Sequence, residues 1–274
     1  MQEVKDKNVN LNFLLNLALN ATQKACAAIL AAKKNLEIWQ KDDGSPLSSA
    51  DLASNEILCA KLAQSGLAIC SEEQPLAYKK RKDLDAFWLI DPLDGTKSFI
   101  KGSDEYCVLV ALIARKRPVL AVIAKPSTNE LYYAHKESVL YKNGKPLCVS
   151  DFETHKNVAL VSVHHPNEKN AEFLAKNALT PTKISSALKF IALLDGKAGV
   201  YHRFENLHSW DIAAGDFLLN QSGGFMGKFN AQALQNAANS KSKEDDFLSY
   251  NEQGFLCEHF IALSQAKFAR QIII

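Results

Sequence analysis

The segment from Trp88 to Thr96, which reads Trp-Leu-Ile-Asp-Pro-Leu-Asp-Gly-Thr, constrains this chain more than any other. The apolar run Phe87 to Ile90 predicts a short buried strand that Pro92 stops, and two carboxylates follow three residues apart. Asp94 to Thr96 can begin a helix whose free N–H groups face an anion. The two carboxylates repel each other unless cations lie between them, and Mg²⁺ binds a few carboxylates together with water and phosphate oxygens. The segment therefore predicts a metal and phosphate site.

Two further acidic segments strengthen this prediction. Glu72 and Glu73 follow the apolar run Leu67 to Ile69, so they come at the end of another predicted strand. Asp211, in Ser-Trp-Asp-Ile-Ala-Ala-Gly-Asp, precedes a run of small residues that suits a tightly packed helix. Together the three segments make a far more specific motif than the aspartate pair alone.

In this order and at this separation, the segments closely resemble those of the inositol monophosphatase superfamily of Mg²⁺-dependent, lithium-sensitive phosphatases. The likeness extends over nearly the whole chain. Lys41 to Asp51 resembles the Lys-x-Asp-x-Ser-Pro-(Val/Leu)-Thr-x-Ala-Asp stretch of bacterial 3'(2'),5'-bisphosphate nucleotidases, a branch of that superfamily. Gly95 to Lys101 resembles their Gly-Thr-Lys-Glu-Phe-Ile-Lys, and the Leu-Lys-Phe at Leu188 to Phe190 and the Arg-Phe at Arg203 also match.

The resemblance implies the layered αβαβα sugar-phosphatase fold, which periodicity alone does not give. It implies an enzyme of sulfur metabolism that converts 3'-phosphoadenosine 5'-phosphate to AMP and phosphate. An inositol monophosphatase or a related sugar phosphatase is the alternative. A catalytically silent binding protein of the same fold is a third interpretation, which the intact set of acidic residues and Thr96 disfavours.

The same resemblance assigns roles to residues. Glu72, Asp91 and the carbonyl of Leu93 would hold a first Mg²⁺, and Asp91, Asp94 and Asp211 a second, with a third, weaker ion near Glu72. The predicted catalytic residues are Glu72, Thr96 and Asp51. Thr96 would orient the attacking water, and Asp51 would accept the hydroxyl proton of Thr96. The remaining predicted substrate contacts are the backbone N–H groups of Gly95 and Thr96 and the side chains of Lys41, Ser186, Lys189 and Arg203.

Departures from the nucleotidase pattern fall where the substrate is chosen. Ser162-Val163-His164-His165 stands where Ser-Arg-Ser-His is common, and Ser185-Ser186-Ala187 stands where Gly-Ser-Ser is common. Glu205-Asn206-Leu207 replaces Gly-Pro-Thr. These changes leave the metal chemistry intact and leave the identity of the leaving group open, together with any contact of His164 or His165 with substrate.

Several residues have a second interpretation. Asp51 is also a good N-cap for a helix that begins at Leu52. Lys41 could be a solvated loop lysine, and the basic run Lys79 to Lys82 is expected to be a solvated loop rather than a substrate funnel. His202 and His208 lack the spacing of a transition-metal site and are expected at the surface or the pocket rim.

Composition excludes some classes of function. With 32 basic and 30 acidic residues the chain has a net charge of +2, which gives no reason to expect nucleic-acid binding. The longest apolar run, Cys107 to Ala114, is too short to span a bilayer. The N-terminal segment does not resemble a secretory signal, because Glu3 and Asp6 interrupt a basic region and asparagines interrupt the apolar region that would follow. Six scattered cysteines without a Cys-x-x-Cys pair are typical of reduced thiols. We expect a cytoplasmic monomer or homodimer that acts on a small phosphorylated molecule.

The predicted organisation is α+β followed by α/β, in an N-terminal half, residues 1–155, with most metal ligands and a C-terminal half, residues 156–274, with Asp211 and the pocket residues. The polar stretch Asn230 to Asp246 is expected to be a surface loop. The predicted helices are 11–30, 52–63, 169–177, 188–194 and 212–221, and the predicted strands are 87–90, 106–114, 119–124, 130–133, 139–141, 158–163, 183–185 and 199–201.

Overall fold

The computed structural model describes residues 10–163, 168–205 and 207–274. In these ranges the helices are α1 Leu11–Ala32, α2 Ser49–Leu62, α3 Tyr78–Arg81, α4 Thr96–Ile100, α5 Glu168–Lys176, α6 Leu188–Leu194, α7 Ser209–Gln221 and α8 Ala231–Ala238. The strands there are β1 Ile38–Gln40, β2 Pro46–Ser48, β3 Ala68–Ser71, β4 Ala86–Asp94, β5 Cys107–Ala114, β6 Arg117–Lys125, β7 Glu130–His135, β8 Tyr141–Lys142, β9 Lys145–Pro146, β10 Val158–Val161, β11 Thr180–Lys183, β12 Val200–Arg203, β13 Leu207–His208, β14 Phe225–Lys228, β15 Leu256–Cys257 and β16 Phe260–Leu263.

Two main sheets, separated by helices, organise the chain. The first has the order β3-β4-β5-β6-β7-β8-β9, and the second has the order β11-β10-β12-β16-β14. In the first sheet only β3 and β4 run parallel among the described pairs, whereas in the second β10 is parallel to both β11 and β12. The two sheets lie on either side of residue 150, although the boundary between an N-terminal and a C-terminal half stays a prediction.

Strand alternation explains how the first sheet is covered on both faces. Successive side chains of a strand point to opposite faces, so Trp88 and Ile90 join the core beneath α1 and α2. Phe87 and Leu89 join the opposite core, in which α6 and α7 pack between the two sheets. Because both faces are buried, this strand reads as a continuous apolar run rather than as an alternation of apolar and polar residues.

The second sheet is covered in the same way. Tyr201 and Phe260 face the central helices, while Val200 and Ile261 face a third core that includes α5 and α8. The order of layers is therefore α1 and α2, the first sheet, α6 and α7, the second sheet, and α5 with α8. This is the predicted layered αβαβα arrangement.

Helix α1 is the longest described helix, and it belongs to the core. The stretch Leu11–Asn35 is long and apolar enough to cross a membrane by length and composition alone. The apolar side chains on its inner face, among them Ala18, Ala25 and Ile29, are fully buried in the core that α1 shares with α2 and the first sheet, whereas Phe13 and Leu30 are exposed. A core helix of a globular protein meets the same criterion of length and composition.

Three predictions about elements were wrong. Pro92 does not stop its strand: β4 continues to Asp94 after a register shift between Asp91 and Asp94. The stretch Asn230 to Asp246 is not a loop throughout, since Asn230 caps α8 by accepting a hydrogen bond from the N–H of Ala233 at 2.8 Å. Strands β14 and β16 have no counterpart in the sequence prediction, and the segment predicted as strand 183–185 forms β11 at Thr180–Lys183.

Candidate metal centre and substrate pocket

Three carboxylates from separate elements meet at one edge of the first sheet. Asp91 lies near the end of β4, and Glu72 directly follows the parallel strand β3, where its N–H donates to the carbonyl of Ile90 at 3.1 Å. Asp211 comes from the first turn of α7, which packs against the same sheet. One carboxylate oxygen from each of Glu72, Asp91 and Asp211 lies within 4.8 Å of the others. The structure thus brings together three of the predicted metal ligands.

The electrostatics of this group are those of a cation site. Burial and the neighbouring carboxylates, Glu72 first among them, raise the pKa of Asp91 well above its usual value. The pKa of Asp211 is raised well above its usual value by burial, together with the charges of Asp94 and Glu72. Buried like charges oppose folding unless something of opposite charge lies between them. All the donors are oxygen atoms, which is the set that Mg²⁺ prefers, so the residues fit that ion.

Asp94 lies at the same edge and is held by the loop that precedes α6. Its Oδ2 accepts a hydrogen bond from the N–H of Ala187, and the thiol of Cys107 lies 3.7 Å from the same oxygen. Burial raises the pKa of Asp94 to about 6, against the effect of the Ala187 hydrogen bond. The remaining predicted ligand, the carbonyl of Leu93, accepts a hydrogen bond from the Thr96 hydroxyl at 3.0 Å.

Asp51 and Thr96 form a hydrogen-bonded pair beside the metal ligands. The Thr96 hydroxyl lies 2.8 Å from Oδ1 of Asp51, while Oδ2 accepts from the N–H and the hydroxyl of Ser48 at 2.8 and 2.5 Å. Helix α2 begins at Ser49 with Ser48 as its N-cap, so the alternative of Asp51 as the N-cap of a helix at Leu52 was wrong. Asp51 instead stands in the first turn, where one oxygen secures the helix start and the other contacts Thr96. Burial raises its pKa.

Lys41 reaches the acidic cluster from the turn between β1 and β2. Its ammonium group lies 2.8 Å from a carboxylate oxygen of both Glu72 and Glu73. Burial lowers the pKa of Lys41, but the two carboxylates outweigh this effect and the pKa is raised. A freely solvated loop lysine is therefore excluded for this residue.

Two buried cations line the same cavity as the acidic residues. Lys189 and Arg203 are only 5% and 6% exposed, and both line a cavity of about 220 Å³ that also contains Glu72, Asp94 and Asp211. Burial lowers the pKa of Lys189 to about 8, although the charge of Asp94 opposes the shift. The ammonium group of Lys189 donates to the carbonyl of Ser186 at 2.7 Å, and Nε of Arg203 lies 3.0 Å from a carboxylate oxygen of Glu205.

The loop that carries Ser186 is fixed from the first half of the chain. Ser185 receives a hydrogen bond from Ser98 at 2.9 Å through the two hydroxyls, and its N–H donates to Glu105 at 3.2 Å. Ser186 has a φ of +58°, an unusual conformation for a residue with a side chain. Glu105 supports the pocket from outside the motifs, whereas Ser98 and Ser185 lie within compared segments to which the sequence alone assigned no supporting role.

Gly95 is required by its surroundings. Its φ of +96° is disfavoured for residues with a side chain, and a Cβ atom there would lie 2.7 Å from the carbonyl oxygen of Glu105. Its neighbour Thr96 begins α4, so both residues stand at the start of a helix. The same Cβ atom would lie 3.1 Å from Cβ of Ser186. A glycine at this position therefore leaves room for the loop of Ser186, whose next residue, Ala187, donates its N–H to Asp94.

Two predictions about charged residues were wrong. Arg81, in the basic run Lys79 to Lys82, is buried rather than solvated, whereas the three lysines of that run are exposed. His202 is buried among aromatic rings, with its ring centroid 3.9 Å from that of Phe173, and not at the pocket rim. His208 is exposed and stacks on Trp210. His164 and His165 lie outside the described residues.

The six cysteines are all free, and three of them, Cys70, Cys107 and Cys257, are buried. Only Cys148 is exposed to the extent of a surface residue, and Cys26 and Cys59 are half-buried. This agrees with the expectation of thiols that are not paired in disulfides.

Comparison with known proteins finds a matching family model and similar curated proteins. The family model described as the inositol monophosphatase family matches residues 10–265. The 3'(2'),5'-bisphosphate nucleotidase CysQ of Salmonella typhimurium is 31% identical over 229 residues, which cover 82% of this chain and 92% of that protein. The nucleotidase of the same name from Buchnera aphidicola is 32% identical over 198 residues, covering 70% and 75%.

Solved structures confirm the fold. The crystal structure of CysQ from Bacteroides thetaiotaomicron, described as a bacterial member of the inositol monophosphatase family, aligns with a TM-score of 0.79 and 28% identity over 95% of this chain and 99% of that one. The inositol monophosphatase from Anabaena aligns with a TM-score of 0.71 and 23% identity over 96% and 94%. The match of the family model over most of the chain, the curated relatives and the shared fold lead to one conclusion: the chain belongs to the inositol monophosphatase family of metal-dependent phosphatases.

Proposed function

We propose that the protein is a Mg²⁺-dependent phosphomonoester hydrolase that converts 3'-phosphoadenosine 5'-phosphate to AMP and phosphate. The observation that carries this proposal is the group of three carboxylates within 4.8 Å, two of which, Glu72 and Asp211, line the same cavity as the buried cations Lys189 and Arg203. The bisphosphate nucleotidases among its relatives support the choice of substrate. A substrate with two phosphates suits a site in which one end holds metal and the other holds cations.

We assign the metal ligands as follows. Glu72, Asp91 and the carbonyl of Leu93 hold a first Mg²⁺, Asp91, Asp94 and Asp211 hold a second, and a third, weaker site lies near Glu72. When bound, the ions neutralise charge on the phosphoryl group and acidify the attacking water. Asp91 would contribute to both sites, and it lies on β4, the strand paired with β3 on one side and β5 on the other.

Thr96 and Asp51 together orient and activate the attacking water. The Thr96 hydroxyl can orient that water, because it lies 2.8 Å from Oδ1 of Asp51 and 3.0 Å from the carbonyl of Leu93, so its own proton points to one of these two oxygens. Burial raises the pKa of Asp51, so this carboxylate is a stronger base than an exposed aspartate and is better matched to neutral pH. Ser48 keeps the carboxylate in place through its other oxygen.

The chain binds the two phosphates with different groups. The N–H groups of Gly95 and Thr96, at the start of α4, bind the oxygens of the reacting phosphate. Lys189 and Arg203 bind the second phosphate or the base, with the hydroxyl of Ser186 beside them. Lys41 acts at the metal side, where it holds Glu72 and Glu73 in position until the ions arrive.

A panel of substrates tests the proposal directly. Phosphate release is measured with 3'-phosphoadenosine 5'-phosphate, inositol 1-phosphate and fructose 1,6-bisphosphate at saturating Mg²⁺. We expect the highest kcat/KM for the nucleotide. A higher kcat/KM for inositol 1-phosphate would favour the alternative, an inositol monophosphatase or sugar phosphatase, and the absence of turnover on every substrate would favour a silent binding protein.

The role of the two cations has its own test. Lys189→Met and Arg203→Met should lower kcat/KM for 3'-phosphoadenosine 5'-phosphate more than for 3'-AMP, which lacks the 5'-phosphate. Lys97→Met is the matched control, because Lys97 lines the same cavity but is exposed at its mouth. Equal losses on both nucleotides would show that Lys189 and Arg203 do not recognise the second phosphate.

The ion dependence follows from the ligand set. We expect LiCl to inhibit relative to KCl at fixed Mg²⁺, because a small ion of lower charge can occupy the position between Asp94 and Asp211. Ca²⁺ should compete without supporting turnover, since it takes longer oxygen distances and looser geometry than Mg²⁺. Equal effects of LiCl and KCl would contradict the assignment of these ligands.

We further propose that the protein works in the cytoplasm, in sulfur metabolism, as a monomer or homodimer with a small phosphorylated molecule as its partner. Free cysteines in all six positions support a reducing compartment. The near balance of 32 basic and 30 acidic residues supports the absence of a nucleic-acid partner.

A further inference from the structure

The guanidinium group of Arg81 connects two segments that are far apart in the sequence. Its side chain is buried, at the C-terminal end of the short helix α3. Nη1 donates to the side chain of Asn251 at 2.7 Å, and Nη2 donates to the carbonyls of Glu252 and Gly254 at 2.6 and 3.1 Å. Nε donates to the carbonyl of Leu76 at 3.2 Å. All these acceptors are neutral, so the fork geometry of arginine matters here as well as its charge.

One of these contacts fixes the segment that follows Glu72. Leu76, whose carbonyl accepts from Arg81, donates its N–H to the thiol sulfur of Cys70 at 3.3 Å, within β3. Gln74 and Ser71 are also joined through their backbones. The turn that begins at Glu72 is therefore attached to β3 at one end and to Arg81 at the other.

The other contacts fix the start of α7. The Arg81 guanidinium lies over the ring of Phe255, with 4.3 Å between its carbon and the ring centroid. The carbonyl of Phe255 accepts from the N–H and the hydroxyl of Ser209 at 2.7 and 2.8 Å. The ring of Phe255 lies 4.8 Å from that of Trp210. Ser209 and Trp210 directly precede Asp211, so the support of this metal ligand runs through the segment that Arg81 holds.

We infer that Arg81 is a positioning residue that sets where Glu72 and Asp211 stand relative to each other. Asp91 needs no such support because its strand is paired on both sides within the sheet. Glu72 and Asp211 come from a turn and a helix start, and Arg81 bonds to the supports of both. This inference rests on the proposed metal-dependent function, since it assigns Arg81 a part in shaping the metal site.

The test is Mg²⁺ binding to the metal-free full chain, measured by calorimetry without substrate. We expect Arg81→Gln and Arg81→Lys to raise the Kd for Mg²⁺ roughly tenfold, the range seen when residues that orient metal ligands are replaced. Lysine keeps the charge but lacks the fork of N–H donors that reaches both segments at once, so we expect Mg²⁺ binding to weaken in both variants. Asn251→Ala, which removes one acceptor, should have a smaller effect in the same direction and serves if neither Arg81 variant folds.

Two controls separate positioning from stability. Lys80→Gln changes an exposed charge in the same basic run, and Leu234→Ala creates a cavity in α8 on the far side of the second sheet. All variants are measured at a temperature at which circular dichroism shows them folded. Arg81 variants that lose thermal stability but bind Mg²⁺ like Leu234→Ala would overturn the inference.

The same samples are then assayed with 3'-phosphoadenosine 5'-phosphate over a range of Mg²⁺ concentrations. We expect the Arg81 variants to need more Mg²⁺ for half-maximal activity, with a smaller change in KM for the nucleotide. A wild-type protein that binds Mg²⁺ but does not hydrolyse this nucleotide would refute the proposed substrate, and the binding comparison would still decide the role of Arg81.

Discussion

Helix α7 carries two aspartates, five residues apart, whose surroundings are opposite: Asp216 is fully buried and Asp211 is half-buried. Asp216 receives two hydrogen bonds from Arg117 at 2.7 and 2.9 Å, one from Tyr250 at 2.5 Å and one from Asn220 at 2.6 Å. Asp211 receives a hydrogen bond from the N–H of His208 at 3.0 Å and otherwise faces other carboxylates. One carboxylate has a full set of donors, and the other is arranged to accept a ligand.

This difference shows how one helix serves both architecture and chemistry. Asp216 and Arg117 form an ion pair between the two halves of the chain, since Arg117 begins β6 and Asp216 lies in α7. That pair anchors the helix on the first sheet. A buried acid with complete partners is costly to leave without them, whereas an acid surrounded mainly by other carboxylates is a candidate binding site.

The largest expected effect is on activity, when Asp211 is neutralised. Asp211→Asn and Asp91→Asn should each lower kcat/KM by several orders of magnitude, because each removes a charged metal ligand. Their thermal stability in EDTA should be no lower than that of the wild type, since each substitution also relieves repulsion among buried carboxylates. Phosphate release and thermal melts measure the two quantities. Wild-type turnover in both variants would show that the assignment of metal ligands is wrong.

The opposite result is expected for the ion pair at Asp216. Arg117→Gln leaves a buried carboxylate without its charged partner, which should lower the free energy of unfolding by about 3–5 kcal/mol. The activity per folded molecule at saturating Mg²⁺ should change little. Lys116→Gln is the matched control: Lys116 forms an exposed ion pair with Glu252 at 2.9 Å, and such pairs contribute about 1 kcal/mol or less. Urea unfolding distinguishes the two, and equal losses would contradict the structural role of Arg117.

The dependence of thermal stability on Mg²⁺ should also distinguish Asp211 from Asp216. A ligand that binds only the folded state at 100 times its Kd stabilises that state by about 2.7 kcal/mol. We therefore expect saturating Mg²⁺ to raise the melting temperature of the wild type and of Arg117→Gln by similar increments. In Asp211→Asn, Mg²⁺ should raise the melting temperature much less than in the wild type. An equal rise in that variant would show that Mg²⁺ binds at a site without Asp211.

The sequence predicted the acidic side of the site because each ligand lies in a short local motif. Asp91, Asp94 and Thr96 are within six positions of one another, and the ends of strands and starts of helices around them follow from local patterns. The family resemblance then supplied the fold, which local patterns could not. Only the relative placement of Glu72, Asp91 and Asp211 required the tertiary structure.

The supports of the site were not predictable in this way. Arg81 looks like one member of a solvated basic run, and only its contacts with Asn251 and Phe255, some 170 positions away, show that it is buried. Arg117 likewise ends a run of three basic residues, and its partner Asp216 is far along the chain. Helix α8 was missed because the prediction took a polar stretch as a loop, although the cap at Asn230 is a local signal that could have identified it.

A third buried ionisable side chain, that of His202, adds a pH-dependent stability to the comparison. Neither ring nitrogen of His202 has a hydrogen-bond partner, and burial, together with the charge of Arg203, lowers its pKa to about 3. The neutral ring is thus compatible with the fold, whereas the protonated ring is not. Because the pKa in the folded state is below the value of about 6.5 in the unfolded chain, the stabilising contribution is fully present above pH 6.5 and declines as the pH falls towards 3.

We expect this decline to reach about 2 kcal/mol at pH 5, since each pH unit between the two pKa values contributes about 1.4 kcal/mol. The test is the free energy of unfolding at pH 7.5 and pH 5 for the wild type and for His202→Leu, whose side chain cannot titrate. Other titratable groups are common to both proteins, so the difference between their pH dependences isolates His202. The variant should lose less stability on acidification than the wild type by about this amount. Identical pH dependences would mean that His202 acquires a proton without opening the aromatic core around Phe173, and that burial alone does not keep this ring neutral.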